Sequence, residues 1–203
     1  MSTTVFKQFL AQLEAKDYAK AQGFDLNWYE QMSPEEIQKA EQLLLAQART
    51  GDMSPVPSLA KIATPEAIGF LKKIFEEQEC IHESILNYEL AKHLWDVTGE
   101  EKYLRVFDNF ELSLKTDKLI FIKLLSTLPD SRKRISQLIS TFSNDSYRVA
   151  RFWAAVEVLR LIGKIKSDDS NLEDYRPLLN KVASEDLKQR EDGQKELSVL
   201  VNP

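Results

Sequence analysis

The sequence predicts an all-α protein, and three observations support this fold class. The 203 residues contain only 6 Gly and 7 Pro, too few for the many tight turns of a β fold. Long runs are rich in Leu, Ala, Glu and Lys, the residues with high helix propensity. No stretch alternates β-branched and polar residues between hairpin turns, so no strand is predicted. A chain of this length can bury a sizeable core.

Residues 1–57 are predicted to form capping helices at the amino-terminal end. Ser2 or Thr3 can cap a first helix that continues to Lys20. The run Ser33-Pro-Glu-Glu36 is typical of a second helix start. The serine can cap the helix, the proline fits its first turn, and the second glutamate can reach back to the cap from the third position.

Residues 58–166 are predicted to form pairs of helices. The first helices of successive pairs are predicted to begin near positions 65, 100, 131 and 172. Helix-pair repeats have a period of roughly 40 residues with loops of variable length, which agrees with this spacing. Residues 167–203 are predicted as carboxy-terminal capping helices, so that the whole chain, 1–203, forms a single α-solenoid domain.

The most regular helix is predicted over residues 145–163. Asp145 can cap its first amides, and Gly163 can adopt the left-handed conformation that ends it. Several alanines in this stretch are small enough for a neighbouring helix to approach closely. Phe152 and Trp153 belong to an apolar stripe at helical spacing, so both are predicted to be core residues.

The same stretch carries an Asp followed by Arg-Val-Ala-Arg and Ala-Ala-Val-Glu-Val-Leu before Ile-Gly. This order resembles the second helix of a HEAT repeat, and the run at 58–68, with a proline-bearing turn after Leu-Ala-Lys-Ile, is similar to the junction between HEAT-type repeats. The resemblance covers residues 58–165. It implies a right-handed α-α superhelix, a HEAT/armadillo-like solenoid of about five antiparallel helix pairs. Such solenoids mostly present a concave face to another macromolecule.

The net charge of −5 is unevenly distributed along the chain. Residues 115–166 carry a local charge of +7, so the remaining residues carry −12. The predicted interaction surface in this basic segment consists of Arg132, Lys133, Arg134, Arg148 and Arg151. A plain alternative is that these cations only solvate the helices. The HEAT resemblance implies a third interpretation, in which Arg148 or Arg151 belongs to an internal ladder with an acid such as Asp145.

No catalytic, cofactor-binding or metal site is predicted. His82 and His93 are the only histidines, and they lack companion ligands at metal-binding spacing. Cys80 has no histidine at the spacing of a known nucleophile motif. The sequence contains neither a Gly-x-Ser-x-Gly elbow nor a Gly-rich phosphate loop. We therefore expect a non-enzymatic protein without a cofactor.

The predicted function is protein–protein interaction, as an adaptor or an immunity-type inhibitor of a partner enzyme. The alternative is a HEAT-like nucleic-acid-binding protein or DNA glycosylase that uses the basic 115–166 segment. HEAT-like glycosylases are strongly basic overall and this chain is acidic, so another protein is the favoured partner. No apolar run approaches the ~20 residues of a membrane span. The single cysteine and the lack of a secretory signal predict a cytoplasmic location.

Overall fold

The computed structural model describes residues 3–15, 23–78, 85–108 and 115–202. Within these ranges the structure is helical and contains no strand, which confirms the all-α prediction. The α-helices described there are α1 (Thr4–Leu13), α2 (Pro34–Ala48), α3 (Val56–Ile62), α4 (Pro65–Gln78), α5 (Ile85–Thr98), α6 (Lys102–Arg105), α7 (Lys115–Ser126), α8 (Ser131–Phe142), α9 (Arg148–Leu161), α10 (Arg176–Val182) and α11 (Leu187–Val201). Short 3-10 helices lie at Leu26–Glu30, Val106–Asp108 and Leu172–Tyr175. None of the helices in the described ranges is both long and apolar enough to cross a membrane.

The chain divides into two compact units. Unit 1 comprises residues 1–82 and 89–108, and unit 2 comprises residues 83–88 and 109–203. The single solenoid domain over the whole chain, expected from the sequence, stays a prediction.

Some predicted features lie outside the described residues. The first helix, α1, ends at Leu13, and the rest of its predicted length, to Lys20, is mostly outside. Cys80 and His82 are also outside the described ranges.

The start of α2 carries the predicted capping box. The Ser33 hydroxyl accepts a hydrogen bond from the Glu36 amide, and the Glu36 carboxylate accepts one from the Ser33 amide at 3.0 Å. The same carboxylate accepts the Thr3 amide at 2.7 Å and the Thr3 hydroxyl at 3.0 Å. Hydrogen bonds from the Ser33 and Thr3 amides hold the pKa of the Glu36 carboxyl below its usual value. This one side chain therefore joins the starts of α1 and α2.

The core of unit 1 lies where α2, α3 and α4 pack against one another. Leu44, Leu59 and Leu71, one from each helix, are fully buried. Phe75 meets Tyr103 edge to face, with ring centroids 5.1 Å apart. These contacts join the helices through burial of apolar surface.

The region after Gly99 is less regular than the sequence predicts. The helix predicted to begin near position 100 is expected to continue to Lys115, but α6 ends at Arg105 and a tighter 3-10 turn, Val106–Asp108, follows it. Residues 109–114 of the predicted helix lie outside the described ranges. Helical periodicity does not distinguish a regular helix from a helical turn that tightens after one or two turns.

Three helices of unit 2, α7, α8 and α9, pack against one another. The connections at 127–130 and 143–147 are short, and packed helices joined by short connections run antiparallel. Helices α7 and α9 therefore run in the same direction. Two ion pairs agree with this arrangement: Lys118 with Asp145 at 2.6 Å, and Lys123 with Glu157 at 3.7 Å. Helices α7, α8 and α9 are called the helical layer below. The carboxyl ends of α7 and α9 lie at the same end of this layer as the start of α8.

The prediction that Phe152 and Trp153 are core residues is wrong, because both side chains are partly exposed. The buried faces of α9 carry mainly alanines and branched aliphatic residues, together with Arg151 and Glu157. Neighbouring helices contact α9 on several sides, and the alanines let them approach closely. The two large rings lie at the edge of this contact, with their centroids 5.6 Å apart.

Helices α10 and α11 pack closely because of Gly193. A Cβ atom added at this position would lie 2.6 Å from the Val182 backbone nitrogen and 2.8 Å from the Lys181 Cβ. Distances this short exclude any larger side chain unless the two helices move apart. A Cβ atom added at Gly69, in the middle of α4, would meet nothing within 4 Å. Gly69 is therefore a control for substitution of Gly193.

Gly193→Ala should lower the free energy of unfolding by about 1–3 kcal/mol through overpacking, despite the higher helix propensity of alanine. Gly69→Ala should raise it by about 0.5–1 kcal/mol, because only the propensity changes there. Urea unfolding followed by circular dichroism measures both. A stabilising Gly193→Ala substitution would contradict the close approach of α10 and α11.

Candidate functional site

The five cations predicted as an interaction surface do not all reach the surface. Arg132 and Lys133, at the start of α8, and Arg148, at the start of α9, are exposed. Arg134 and Arg151 are buried, with exposed fractions of 2% and 1%. The predicted surface is therefore corrected to the three exposed residues, since the two buried guanidinium groups bond to the protein itself.

The guanidinium group of Arg151 binds three backbone carbonyls. It donates to the carbonyl of Asp145, to that of Ala183 at 3.0 Å and to that of Ser184 at 3.1 Å. The exposed carboxylate of Glu185 lies 3.4 Å from the same guanidinium. Arg151 thus joins the segment before α9 to the connection between α10 and α11.

The ladder that the HEAT resemblance implies, with Arg148 or Arg151 paired to the Asp145 carboxylate, is not observed. Arg151 contacts Asp145 through the backbone carbonyl, whereas the Asp145 carboxylate pairs with Lys118 of α7 at 2.6 Å. The other carboxylate oxygen of Asp145 accepts the Tyr147 amide at 2.7 Å. Both Asp145 oxygens are thus engaged by residues other than Arg148, which is exposed. Asp145 therefore holds α7 and the start of α9 together.

Arg134 stabilises the connection between α7 and α8. Its Nε donates to the carbonyl of Pro129 at 3.3 Å, and its guanidinium also donates to the Gln137 side chain one turn later in α8. These bonds, together with its burial, explain why a residue between exposed cations has a structural role.

The three exposed cations lie at two different ends of the helical layer. Arg132 and Lys133 are beside the carboxyl end of α7, whereas Arg148 is beside its amino end, as the antiparallel order requires. At a rise of 1.5 Å per residue, the length of α8 separates these ends by roughly 18 Å. One small ligand could not contact both groups.

A groove of about 380 Å³ lies between α7 and α9. It is lined by Leu119, Ile122, Lys123, Trp153, Glu157 and Arg160. Its apolar wall consists of Leu119, Ile122 and Trp153 and its charged wall of Lys123, Glu157 and Arg160, so both helices contribute to each wall. Its volume lies near the lower end of the roughly 300–1,000 Å³ that is typical of pockets that bind small ligands.

The charged wall is an ion-pair cluster around Glu157, whose side chain is 5% exposed. The Glu157 carboxylate accepts a hydrogen bond from Arg160, which also donates to Asp169. Lys123 approaches the same Glu157 oxygen at 3.7 Å, and 67% of its side chain is exposed. Burial opposes the charged form of Arg160, but Asp169 and Glu157 outweigh it and raise the pKa of Arg160.

This groove is not predicted from the sequence. Trp153 is predicted there as a core residue, and neither Glu157 nor Lys123 belongs to a predicted site. One local signal was available, because Glu157 and Arg160 are three residues apart and therefore neighbours on one helix face. The approach of Lys123 depends on how α7 packs on α9, which no local pattern reports.

The described residues contain no group of three His, Cys, Asp or Glu side chains that could hold a metal ion. His93 is half-buried, and burial lowers the pKa of its imidazole. His82 lies outside the described ranges, so the absence of a metal site in the whole chain stays a prediction. The groove is lined by neither serine, cysteine nor histidine.

No protein-family model, curated protein or solved structure matches this chain. The HEAT-like character of residues 58–165 therefore stays a prediction from sequence.

Arg151→Met should lower the free energy of unfolding of unit 2 by about 2–4 kcal/mol, because it leaves buried carbonyls without their donor. Arg148→Met removes the same charge from an exposed site on the same helix. It should change the free energy of unfolding by no more than about 0.5 kcal/mol. Trp153 is the only tryptophan of unit 2. Its fluorescence in a Trp28→Phe/Trp95→Phe background therefore reports on this unit during urea unfolding. Equal effects of the two arginine substitutions would contradict the structural role of Arg151.

Proposed function

We propose that this protein is a non-enzymatic protein–protein interaction module, an adaptor or an immunity-type inhibitor, that contacts its partner through the groove of unit 2. The observation that carries the proposal is the partly exposed Trp153 beside Leu119 and Ile122. Tryptophan is one of the residue types enriched among those that dominate binding energy at protein interfaces. An aromatic ring in this position supplies apolar area that a partner can bury.

The charged wall of the groove supports binding rather than catalysis. Glu157 Oε1 already accepts a hydrogen bond from Arg160 and lies 3.7 Å from the Lys123 ammonium group. Catalytic bases need an oxygen within reach of the substrate proton. No serine, cysteine or histidine lines the groove to act as a nucleophile or proton carrier.

We also propose that the chain is a single α-solenoid domain and that the protein is cytoplasmic. The helix pairs of residues 58–166 form a HEAT/armadillo-like solenoid, with capping helices at 1–57 and 167–203. A chain with one cysteine has no internal disulfide, which fits the reducing conditions of the cytoplasm.

Trp153→Ala should abolish partner binding with only a modest loss of stability, less than the ~3–5 kcal/mol expected for a fully buried tryptophan. Leu187→Ala is the control, because Leu187 is an exposed apolar residue of unit 2 outside the groove. Tagged wild-type and variant proteins are used to capture partners from an extract of the source cells, with mass spectrometry to identify them and calorimetry with the purified partner to measure affinity. A partner held equally by wild type and Trp153→Ala would exclude the groove as its site.

Nucleic-acid binding remains the second candidate, because Arg132, Lys133 and Arg148 are exposed on the basic segment. Several cations of that segment are engaged internally, among them Lys118, Arg134, Arg151 and Arg160. Cations held by carboxylates or carbonyls inside the protein do not neutralise phosphates. The internal engagement of these cations therefore favours a protein partner over DNA or RNA. For the same reason it argues against a DNA glycosylase.

We expect no specific binding to duplex or single-stranded DNA at physiological salt, because the remaining cations are few and the rest of the chain is acidic. Fluorescence anisotropy over a salt series measures this. A nucleic-acid site would give a steep slope, about −0.9 per neutralised phosphate on duplex DNA. If such a slope were lost in an Arg132→Glu/Lys133→Glu variant that still folds, the protein-binding proposal would be overturned in its present form.

A further inference from the structure

We propose that the groove of unit 2 accepts an uncharged apolar side chain of the partner protein, and that Asp169 is a specificity-determining residue for this choice. The inference rests on the proposed function and adds the chemistry of the bound group. It follows from the apolar wall of the groove, from the internal pairing of its charged wall and from the loop that holds Asp169 beside Arg160.

The apolar wall of the groove offers its surface to one large side chain. Leu119 of α7 and Trp153 of α9 are partly exposed, whereas Ile122 is 1% exposed. An apolar group placed between the two helices leaves water and contacts the indole ring, and both changes favour binding. The volume of about 380 Å³ suits a single side chain rather than a longer stretch of the partner chain.

The charged wall pairs its own groups. Glu157 accepts a hydrogen bond from Arg160 and lies 3.7 Å from the ammonium group of Lys123, and Arg160 also donates to Asp169. These two cations and two carboxylates sum to a net charge of zero. A charged occupant would lose hydration at this wall without meeting a net opposite charge that replaces it. The neutral wall therefore favours an uncharged occupant.

Arg160 is the group of this wall that would attract a carboxylate if it were released. Each of its two terminal nitrogens donates to a carboxylate, one to Glu157 and the other to Asp169, and its Nε is buried out of contact with solvent. Only 16% of the side chain is exposed. Without the charge of Asp169, Glu157 would face both Arg160 and Lys123, and the wall would carry a net positive charge.

The loop after α9 holds Asp169 in place by bonds that do not involve Arg160. The Asp169 amide donates to the Lys166 carbonyl at 3.0 Å, and the Asp169 carbonyl accepts the Leu172 amide at 3.0 Å. The Asn171 side chain accepts the Lys166 amide at 2.9 Å. Asp169 has a φ of 59°, a left-handed conformation that Asp and Asn adopt more readily than most residues. Asparagine can therefore replace Asp169 without a change of backbone.

Three probes that share a cyclohexyl ring and differ in charge test the preference: cyclohexylmethanol, cyclohexanecarboxylate and cyclohexylmethylammonium. Nuclear magnetic resonance follows the indole N–H of Trp153 in the full-length protein, assigned by its loss in Trp153→Phe. The indole signals of Trp28 and Trp95, both in unit 1, serve as the internal reference. We expect cyclohexylmethanol to bind at least about tenfold more tightly than either charged probe, because each charged probe must give up hydration.

Two neighbouring aspartate variants test the role of Asp169. Asp169→Asn keeps an acceptor oxygen for Arg160 but removes one negative charge from the wall. It should tighten binding of cyclohexanecarboxylate about threefold and weaken binding of cyclohexylmethylammonium about threefold, since exposed charge pairs contribute modestly. Binding of cyclohexylmethanol should change by less than about twofold, because that probe is uncharged. A merely structural role of Asp169 would instead weaken binding of all three probes alike.

Asp168→Asn is the matched control, because it removes the same charge from the preceding residue. Asp168 is exposed, and its carboxylate accepts the Ser170 amide at 3.0 Å. At physiological salt its charge is screened, so this variant should change binding of each probe by less than about twofold. Thermal unfolding confirms that both variants are folded, and the comparison of probes on the wild-type protein needs neither variant.

The possible failures are distinguishable. A charged probe that binds as tightly as cyclohexylmethanol, or equal effects of the two aspartate variants on the carboxylate probe, would overturn this inference and leave the proposed groove in place. The same conclusion would follow if no probe shifts the Trp153 signal while partner capture still depends on Trp153. A partner captured equally by wild type and Trp153→Ala would overturn the proposed function, whatever the probes show.

Discussion

The packing of unit 2 depends on the buried guanidinium group of Arg151. It donates to the carbonyls of Asp145, Ala183 and Ser184, and so joins the segment before α9 to the end of α10. Removing a charge from water costs several kcal/mol unless its donors find acceptors. The last carbonyls of a helix have no partner within that helix, so the end of α10 supplies acceptors that would otherwise be unsatisfied. Helix α9 packs against α7, α8 and α10, and the groove lies on the side where α9 meets α7.

Small residues make such hydrogen bonds between neighbouring elements possible, because they let helices approach closely. Ala150, Ala154 and Ala155 of α9 are buried, and Gly193 lets α11 approach the end of α10. Close backbones bring carbonyls within reach of a side chain from the neighbouring helix. In unit 1, Glu36 has a comparable role, because its carboxylate accepts hydrogen bonds from Thr3 and Ser33 and so joins two helix starts. In both units, therefore, a charged side chain bonded to backbone groups helps to join neighbouring elements.

The same pairing determines which charges remain at the surface. The segment 115–166 is strongly basic in sequence, but Lys118, Arg134, Arg151 and Arg160 bind acceptors inside unit 2. What the surface presents is an apolar recess at Trp153 with exposed cations mainly at one end of the helical layer. A surface of this kind combines an aromatic anchor with a charged rim, as protein interfaces commonly do.

The sequence by itself determined the fold class and most helix starts, such as the capping box at Ser33 and the helix Ser131–Phe142, because capping and helix propensity depend on residues within one or two turns. It did not determine which side of α9 is buried. That helix is apolar around much of its circumference, so its periodicity could not place Trp153 in a groove. Nor could the sequence predict that Arg151 is buried while Arg148, three residues away on the same helix, is exposed. Only the tertiary structure decided these points, because burial depends on which neighbouring helix covers each face and which carbonyls it brings within hydrogen-bond distance.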